Sequence, residues 1–142
     1  MAKTLFPIIQ PEVDAAGERA ELPLYREAKW DFDAGRPVFR NGAPVVVEGA
    51  EAVKTWVWKA LVTQRARYEI YSWDFGCEVE SLIGQPYTDE LKRAEAARYV
   101  REALEVNPYI TDITSVAVSF DNGLLEVAAT VNTIYGEATV HV

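Results

Sequence analysis

Residues 113–134 read ITSVAVSFDNGLLEVAATVNTI, and this stretch decides the fold. Apolar side chains alternate with small or polar ones on both sides of Asp121-Asn122-Gly123, which is the period of strands with one buried face. The turn residues predict a hairpin, so the two runs are expected to pair antiparallel. On the first strand Val116, Val118 and Phe120 are predicted to face one way. On the second strand the predicted apolar face consists of Leu125, Val127, Ala129 and Val131.

A third strand is predicted after this hairpin. Tyr135-Gly136-Glu137 turns the chain into ATVHV, at residues 138–142, which alternates in the same way. The sequence stops inside this strand, so we expect a sheet with an open edge. Unpaired backbone groups on such an edge are a template for the addition of a strand from another protein.

Three helices are predicted before the sheet. The helix over residues 50–63 has one apolar face, formed by Val53, Trp56, Val57, Ala60 and Leu61. A short helix is predicted over residues 77–83. The clearest helix follows Thr88, a good N-cap, and stops at Asn107-Pro108. Its predicted apolar face consists of Leu91, Ala94, Ala97, Val100 and Leu104.

The region before the helices divides into two parts. Residues 1–23 contain Pro7, Pro11 and Pro23 among acidic and small residues, and predict an extended N-terminal arm. Residues 24–47 alternate short apolar runs with turn residues and predict a small β meander. The predicted fold class is α+β, with helices packed on one face of a C-terminal antiparallel three-stranded sheet. We expect residues 24–142 to form a single domain.

Composition excludes several classes of function. The 142-residue chain has a net charge of -8 and no dense run of Lys and Arg, so we expect no nucleic-acid partner. The apolar run near the N-terminus is broken by Pro7 and is too short for a signal peptide or a membrane span. A single cysteine forms no internal disulfide. These features predict a protein of the cytoplasm, or of an assembly built there.

Residue types that carry chemistry are few. The single histidine, His141, has no other ligand residue at metal-binding spacing, and neither common phosphate-binding glycine motif occurs. Cys77 follows Gly76 at a predicted helix start, which would lower the pKa of its thiol a little, but no base lies near it in sequence. We therefore expect no metal, no cofactor and no catalytic residue.

One segment offers a catalytic alternative. Residues 68–84 read YEIYSWDFGCEVESLIG and contain four carboxylates, those of Glu69, Asp74, Glu78 and Glu80. A glycosidase needs two such groups on opposite sides of a cleft. Asp74 and Glu78 are four residues apart, however, and would equally well cap and solvate the start of a helix. The alternative interpretation is a connector between helices, in which Val79, Leu82 and Ile83 return to the core. Apolar mass in this connector comes from Tyr68, Ile70, Tyr71, Trp73 and Phe75.

Two tryptophans lie two positions apart on the first helix. Trp56 and Trp58 therefore project to different sides, and we expect one to face the core and the other to face outward. An exposed tryptophan marks an interface more often than a cofactor site.

Several stretches of the chain resemble one protein family. They are LPLYREAKWDFD, VVVEGAEAVKTWVWKAL, YEIYSWDFGCEVESLIG, ALEVNPYITDI and TIYGEATV, within residues 22–142. They are similar to the small baseplate wedge protein, or sheath initiator, of contractile phage tails, in its PBSX-prophage-like branch. The runs YSWDFG, GQP and NPYI are the more specific ones. Related wedge proteins are called lysozyme-like, a label that rests on sequence similarity and not on a shared mechanism.

The resemblance implies a structural role in the virion tail baseplate. About six copies would form a ring around the tube, and sheath subunits would add strands to the sheet of each copy. The implied partners are the tail sheath protein, the larger baseplate wedge proteins, and tube or hub proteins. The implied interface residues are Trp73, Asp74, Phe75, Asn107, Pro108, Tyr109, Thr139, Val140, His141 and Val142.

The chain departs from the family pattern at one motif. Many relatives carry Glu-Pro-Arg just before the sheet, where it is associated with packing against larger wedge subunits. The corresponding residues here are Asn107-Pro108-Tyr109, so both charged side chains are missing. Only a turn role for Pro108 carries over, and Tyr109 offers an aromatic anchor instead. Two other functions stay open: a muralytic tail enzyme using a carboxylate pair, and a free-standing binding module.

Overall fold

The computed structural model describes residues 21–142 and begins with six short strands. Strand β1 (Arg26–Ala28) pairs antiparallel with β6 (Val46–Glu48). Inside this pair lie two small hairpins, formed by β2 (Trp30–Asp31) with β3 (Arg36–Pro37) and by β4 (Phe39–Arg40) with β5 (Ala43–Pro44). The predicted strands and turns are present, but their pairing is nested and not the sequential pairing of a meander. Each turn closes its own hairpin, so the outermost strands are left to pair with each other.

Two helices follow, and both were predicted. Helix α1 spans Ala50–Val62 and helix α2 spans Asp89–Glu105. The Thr88 hydroxyl caps α2 by accepting the Leu91 N–H at 3.3 Å. The predicted apolar face of α2 is partly wrong, because Leu91 and Ala94 are exposed. The buried residues are Ala96, Val100, Ala103 and Leu104. This stripe also fits the helical period, and its two alanines allow α2 to approach the sheet closely.

The C-terminal sheet matches the prediction. Strands β7 (Ile110–Asp121), β8 (Leu124–Thr133) and β9 (Gly136–His141) pair antiparallel in that order. Asn122 and Gly123 connect β7 to β8 with φ angles of 48° and 76°, as a two-residue turn with both residues left-handed requires. Helix α2 lies over β7 and α1 over β9, so the fold is α+β with both helices on one face of the sheet. The shared core includes Val53, Val57, Val100, Leu104, Ala129, Val131 and Val140.

The predicted N-terminal arm lies almost entirely outside the residues that the structure describes. The division into an arm over residues 1–23 and a domain over residues 24–142 stays a prediction, since residues 1–20 lie outside the described part. Within residues 21–142, neither helix is long and apolar enough to cross a membrane.

The connector between α1 and α2 is closed at its base by backbone hydrogen bonds. Cys77 N–H donates to the Thr63 carbonyl at 2.8 Å, and Arg65 N–H donates to the Cys77 carbonyl at 3.2 Å. Residues 65–76 therefore form a loop with its ends together, which we call the aromatic loop. The short helix predicted over residues 77–83 is a 3-10 helix at Val79–Leu82, and Gly84 follows it with a φ of 80°.

Gly76 makes this closure possible, which leads to a prediction about stability. Its φ is 108°, and a Cβ atom would lie 2.8 Å from the Thr63 carbonyl oxygen and 2.9 Å from the Arg65 Cα. We expect Gly76→Ala to lower the free energy of unfolding by about 3 kcal/mol, because backbone strain and overpacking add. Gly84→Ala is the matched control: it also has a positive φ, but nothing lies within 4 Å, so about 1 kcal/mol is expected. Urea denaturation measures both, and equal losses would contradict the role of the close approach.

Candidate interaction surfaces

Strand β9 forms one outer edge of the sheet and leaves backbone groups unpaired. Val127 and Val142 exchange two N–H···O bonds of 2.8 Å, which sets the alternation along the β8–β9 ladder. Counting from this pair, the backbone N–H and C=O groups of Glu137, Thr139 and His141 point away from β8. The ladder runs from Gly136 to His141 without a bulge. Among the described residues no strand covers this edge.

The opposite edge, along β7, is less regular. Two register shifts interrupt its first half, between Ile110 and Asp112 and between Ile113 and Ser115. The Arg101 guanidinium also donates to the outward-facing Ile113 carbonyl at 3.1 Å. Bulges and capped carbonyls are features that blunt an edge strand against pairing. Of the two edges, β9 is therefore the one without a bulge, and no side chain of residues 21–142 hydrogen-bonds to the outward-facing backbone groups of Glu137, Thr139 and His141.

The side chains of β9 show which predicted interface residues are accessible. Thr139 and His141 are exposed, whereas Val140 is buried in the core at 1% exposure. Thr139 also exchanges a hydroxyl hydrogen bond of 3.1 Å with Thr130 on β8. The sequence prediction missed Glu137, although its place in the polar half of the alternation was the available signal.

A groove of about 440 Å³ forms the second candidate surface. It brings together two of the segments that the family resemblance implied, Asp74-Phe75 and residues 107–109, which are far apart in sequence. Tyr25 and Trp56 also line it, and they were not among the predicted interface residues. For Trp56 the sequence indicated a possible interface without locating it, and Tyr25 reaches the groove only through the packing of the segment before β1.

Hydrogen bonds hold one wall of the groove in place. The Asn107 side-chain oxygen accepts the Tyr109 N–H at 2.9 Å, and the buried Tyr109 hydroxyl donates to the Pro23 carbonyl at 2.7 Å. The Tyr109 carbonyl accepts the Ile134 N–H at 3.0 Å, which joins this turn to the β8–β9 connection. The wall therefore exists before any partner binds. Pro108 lies in this turn, as expected.

The aromatic loop is the third candidate surface, and most of its large apolar side chains face solvent. Tyr68, Ile70, Tyr71 and Trp73 are exposed, and only Phe75 is partly buried. Trp73 does not line the groove; its side chain is 81% exposed. Val79 and Leu82 do return to the core, as predicted, but Ile83 does not. The hydrogen bonds at the base of the loop direct these residues away from the core, a long-range constraint that their hydrophobicity does not reveal.

The two tryptophans of α1 also differ from expectation, because both are partly buried. Trp56 packs edge-on against Phe75 with ring centroids 5.8 Å apart. Trp58 packs against Trp30 at 5.6 Å and Phe32 at 5.8 Å. The exposed tryptophan of this region is thus Trp73, on the aromatic loop.

The candidate catalytic groups are dispersed. Glu69, Asp74, Glu78 and Glu80 are all exposed, and Asp74 is the one carboxylate that lines the groove. Cys77 is buried, and burial raises the pKa of its thiol. The backbone N–H groups of Val79 and Glu78 lower this pKa, as expected at a helix start, but burial outweighs them. Within residues 21–142, no three His, Cys, Asp or Glu side chains group closely enough to hold a metal ion.

Tyr25, in the groove, yields a prediction about pH. Burial, with smaller contributions from the Glu27 carboxylate and Tyr109, raises its pKa to about 12. The ordinary tyrosine pKa is about 10, so the unfolded chain loses this proton at lower pH than the folded chain does. The contribution of Tyr25 to stability is therefore complete below pH ~10 and is lost as pH rises to ~12.

We expect the free energy of unfolding to fall over this pH range and Tyr25→Phe to make the fall shallower. Urea denaturation at successive pH values measures both. Tyr87→Phe, which changes an exposed tyrosine, is the matched control. An equally steep fall in Tyr25→Phe and in the unsubstituted protein would contradict the assignment.

A body with an open strand edge, a preformed aromatic groove and an exposed aromatic loop is typical of a protein that acts by contacting other proteins. Residues 26–136 match the model of the contractile injection system sheath initiator family, and the chain belongs to that family. It is also similar to phage-like element PBSX protein XkdS of Bacillus subtilis (strain 168), with 29% identity over 132 residues, covering 90% of each chain. Family membership supports a structural role in a contractile tail.

Proposed function

We propose that the protein is a component of the tail baseplate that forms the inner wedge ring around the tube and starts the sheath. In this proposal about six copies surround the tube, and each presents its sheet to a subunit of the first sheath ring. Assembly would take place in the host cytoplasm, before the particle is released. The observation that carries the proposal is the edge of β9, which runs without a bulge and is not paired by any strand within residues 21–142.

Strand addition at β9 is supported by the direction of its backbone groups. Glu137, Thr139 and His141 each offer an N–H and a C=O to an incoming strand. Main-chain hydrogen bonds of this kind provide affinity in β-augmentation, and alternate side chains provide specificity. A sheath segment in extended conformation would add a fourth strand to the sheet.

The groove is proposed as the contact with the larger wedge proteins. It contains the turn at residues 107–109, which occupies the position of the family's Glu-Pro-Arg motif, and aromatic walls from Trp56 and Phe75. Without the two charged residues, this contact would depend on apolar and aromatic packing. Tube or hub proteins complete the proposed set of partners.

The alternative, peptidoglycan degradation by a carboxylate pair, has no observation in its favour. The mechanism needs two carboxyl groups facing each other across a cleft. The groove contains Asp74 alone among its lining residues, and Glu78 lies outside it on the surface. Cleavage of peptidoglycan by the purified protein, abolished by Asp74→Asn or Glu78→Gln, would overturn the structural proposal.

Thr139→Pro tests the strand edge. Proline removes an outward-facing N–H and places a ring in the path of an incoming strand, while the β8–β9 hydrogen bonds stay intact. We expect binding to the purified sheath protein to weaken about tenfold or more, because a backbone hydrogen bond is lost and the strands are held apart. Light scattering of co-assembled protein and negative-stain images of sheathed tails provide the measurements.

The matched control for this substitution is Thr139→Val. It removes the hydroxyl hydrogen bond to Thr130 but keeps the backbone N–H. Sheath binding is expected to persist in Thr139→Val, and normal sheathed tails from Thr139→Pro would contradict strand addition. Deleting β9 is not an equivalent test, because Ala138 and Val140 belong to the core.

Val106→Glu tests the groove. Val106 lines the groove and is 45% exposed, so a carboxylate there adds charge to an apolar contact without disturbing the core. We expect recovery of the larger wedge proteins in co-purification to fall about tenfold, a loss typical of a charge at the centre of an interface. Val62→Glu is the matched control, since Val62 is 44% exposed and lies outside the groove. Equal recovery with both variants would exclude the groove as the contact.

A further inference from the structure

The aromatic loop carries the largest exposed side chains of the connector. Ile70 is 86% exposed and Trp73 is 81% exposed. A hollow of about 300 Å³ lies beside Trp73 and is lined by Ala66, Tyr68, Glu69, Tyr71, Ser72 and Trp73. Large apolar side chains in solvent around a hollow are typical of a binding surface, and long loops that keep a defined shape are usually functional.

The loop is ordered by its own contacts. Three successive turns are closed by backbone hydrogen bonds, from Arg67 N–H to the Gln64 carbonyl, from Tyr71 N–H to the Tyr68 carbonyl and from Phe75 N–H to the Ser72 carbonyl. The rings of Tyr68 and Tyr71 meet edge-on at 6.3 Å, and Tyr71 packs against Phe75 at 4.8 Å. A surface held in place before binding loses little conformational entropy when a partner arrives.

Charge distinguishes this surface from the rest of the molecule. Between Arg67 and Lys92 the chain contains no Lys or Arg. The same stretch has six exposed carboxylates, those of Glu69, Asp74, Glu78, Glu80, Asp89 and Glu90. None of the six forms an ion pair within residues 21–142. The segment from residue 68 to residue 91 therefore carries six negative charges and no positive one, and the Arg67 guanidinium over Tyr68 is a cation at the edge of the hollow.

The aromatic loop already contains one cation–π contact. The guanidinium of Arg67 lies over the ring of Tyr68, 5.6 Å from its centre. The faces of Tyr71 and Trp73 are electron-rich in the same way, and tryptophan is the ring that cations prefer. Glu69, on the rim of the same hollow, offers a carboxylate to the free N–H groups of a guanidinium.

We propose that the aromatic loop is a docking surface for a cationic segment of another protein, one that inserts an arginine side chain between Tyr71 and Trp73. The carboxylate of Glu69, on the rim of the hollow, would pair with the guanidinium, and Ile70, the next residue along the loop, would contact the aliphatic part of the segment. Nucleic acid does not fit, since its phosphates would meet the carboxylates. The surface is separate from the β9 edge, so this docking does not depend on sheath binding.

A peptide titration tests the chemistry on the intact protein. The chain has four tryptophans, and Trp73 is much the most exposed, so its indole N–H reports on the loop in ¹H–¹⁵N spectra. The probe is a blocked Arg-Ala-Arg peptide, and the control is the same peptide with neutral citrulline in place of arginine. We expect a saturable shift of the Trp73 signal with the arginine peptide, about tenfold tighter than with citrulline, since cation–π and ion-pair contacts add. High salt should weaken this binding.

Substitutions locate the binding. Glu69→Gln is expected to weaken it about threefold, as removal of one exposed charge does. Glu105→Gln removes an exposed carboxylate at the end of α2 and should change nothing. Thr139→Pro should also leave the titration unchanged, which separates this proposal from sheath binding. No Trp73 shift at tens of millimolar peptide, or equal shifts with both peptides, would overturn the proposal.

Crosslinking in assembled tails identifies the partner class. A photoreactive benzoylphenylalanine replaces Ile70, and the same residue in place of Phe39, which is 61% exposed on a hairpin, is the control. We expect the probe at position 70 to capture a segment of another tail protein that contains arginine within reach. Capture of nucleic acid, of a second copy of this chain, or of a segment without a cationic residue would contradict the inference, and so would no capture.

Discussion

The alternation of β9 is the constraint on which the fold and its proposed function both depend. Side chains and backbone groups alternate together along an edge strand, so the residues that point into the core also bond to β8. Val140 is buried beneath α1, and its neighbours Thr139 and His141 present their backbone groups to the free edge. A register slip of one residue would bury the polar set and turn the core set outward. Core packing therefore keeps the edge in the register that a partner strand would meet.

Much of the fold could be predicted because its signals are local. The alternation in residues 113–134, the Asn122-Gly123 turn and the Thr88 cap each act over a few residues, and the structure contains all of them. The errors arise where two local patterns are equally good. Helix α2 has two stripes of helical period, and contact with the sheet selects the one with Ala96 and Ala103. The nested pairing of β1 with β6 is likewise a tertiary choice, since each turn in between is satisfied locally.

The candidate surfaces were less predictable, for a different physical reason. Asp74-Phe75 and residues 107–109 come together only because the loop base and the turn before β7 pack on the same side of α1. The side chains of Tyr68, Ile70 and Trp73 are large and hydrophobic, yet the hydrogen bonds between residues 63–65 and Cys77 hold them in solvent. Such a conflict between residue type and exposure is expected at functional sites, where local rules give way to binding. The outward-facing residues of β9, by contrast, could be predicted directly from the alternation of side chains along a strand.

Helix α1 packs against the elements that form all three surfaces, namely the β9 edge, the groove and the aromatic loop. Trp56 and Trp58 are two positions apart, which places them roughly 200° apart around the helix axis. Trp56 contacts Phe75, whose ring in turn contacts Tyr71 of the aromatic loop, while Trp58 contacts the β2–β3 hairpin.

A third face of α1, with Val53 and Val57 fully buried, packs toward the sheet where β9 lies. The strand edge, the groove and the loop are therefore held at fixed spacing by one helix, whose contacts are close-packed and do not deform gradually. A component that has to hold several partners in a defined relative geometry needs binding surfaces at fixed spacing. The fixed spacing of the surfaces on α1 explains why some large aromatic side chains of this chain are packed inside the protein while others lie on its surface.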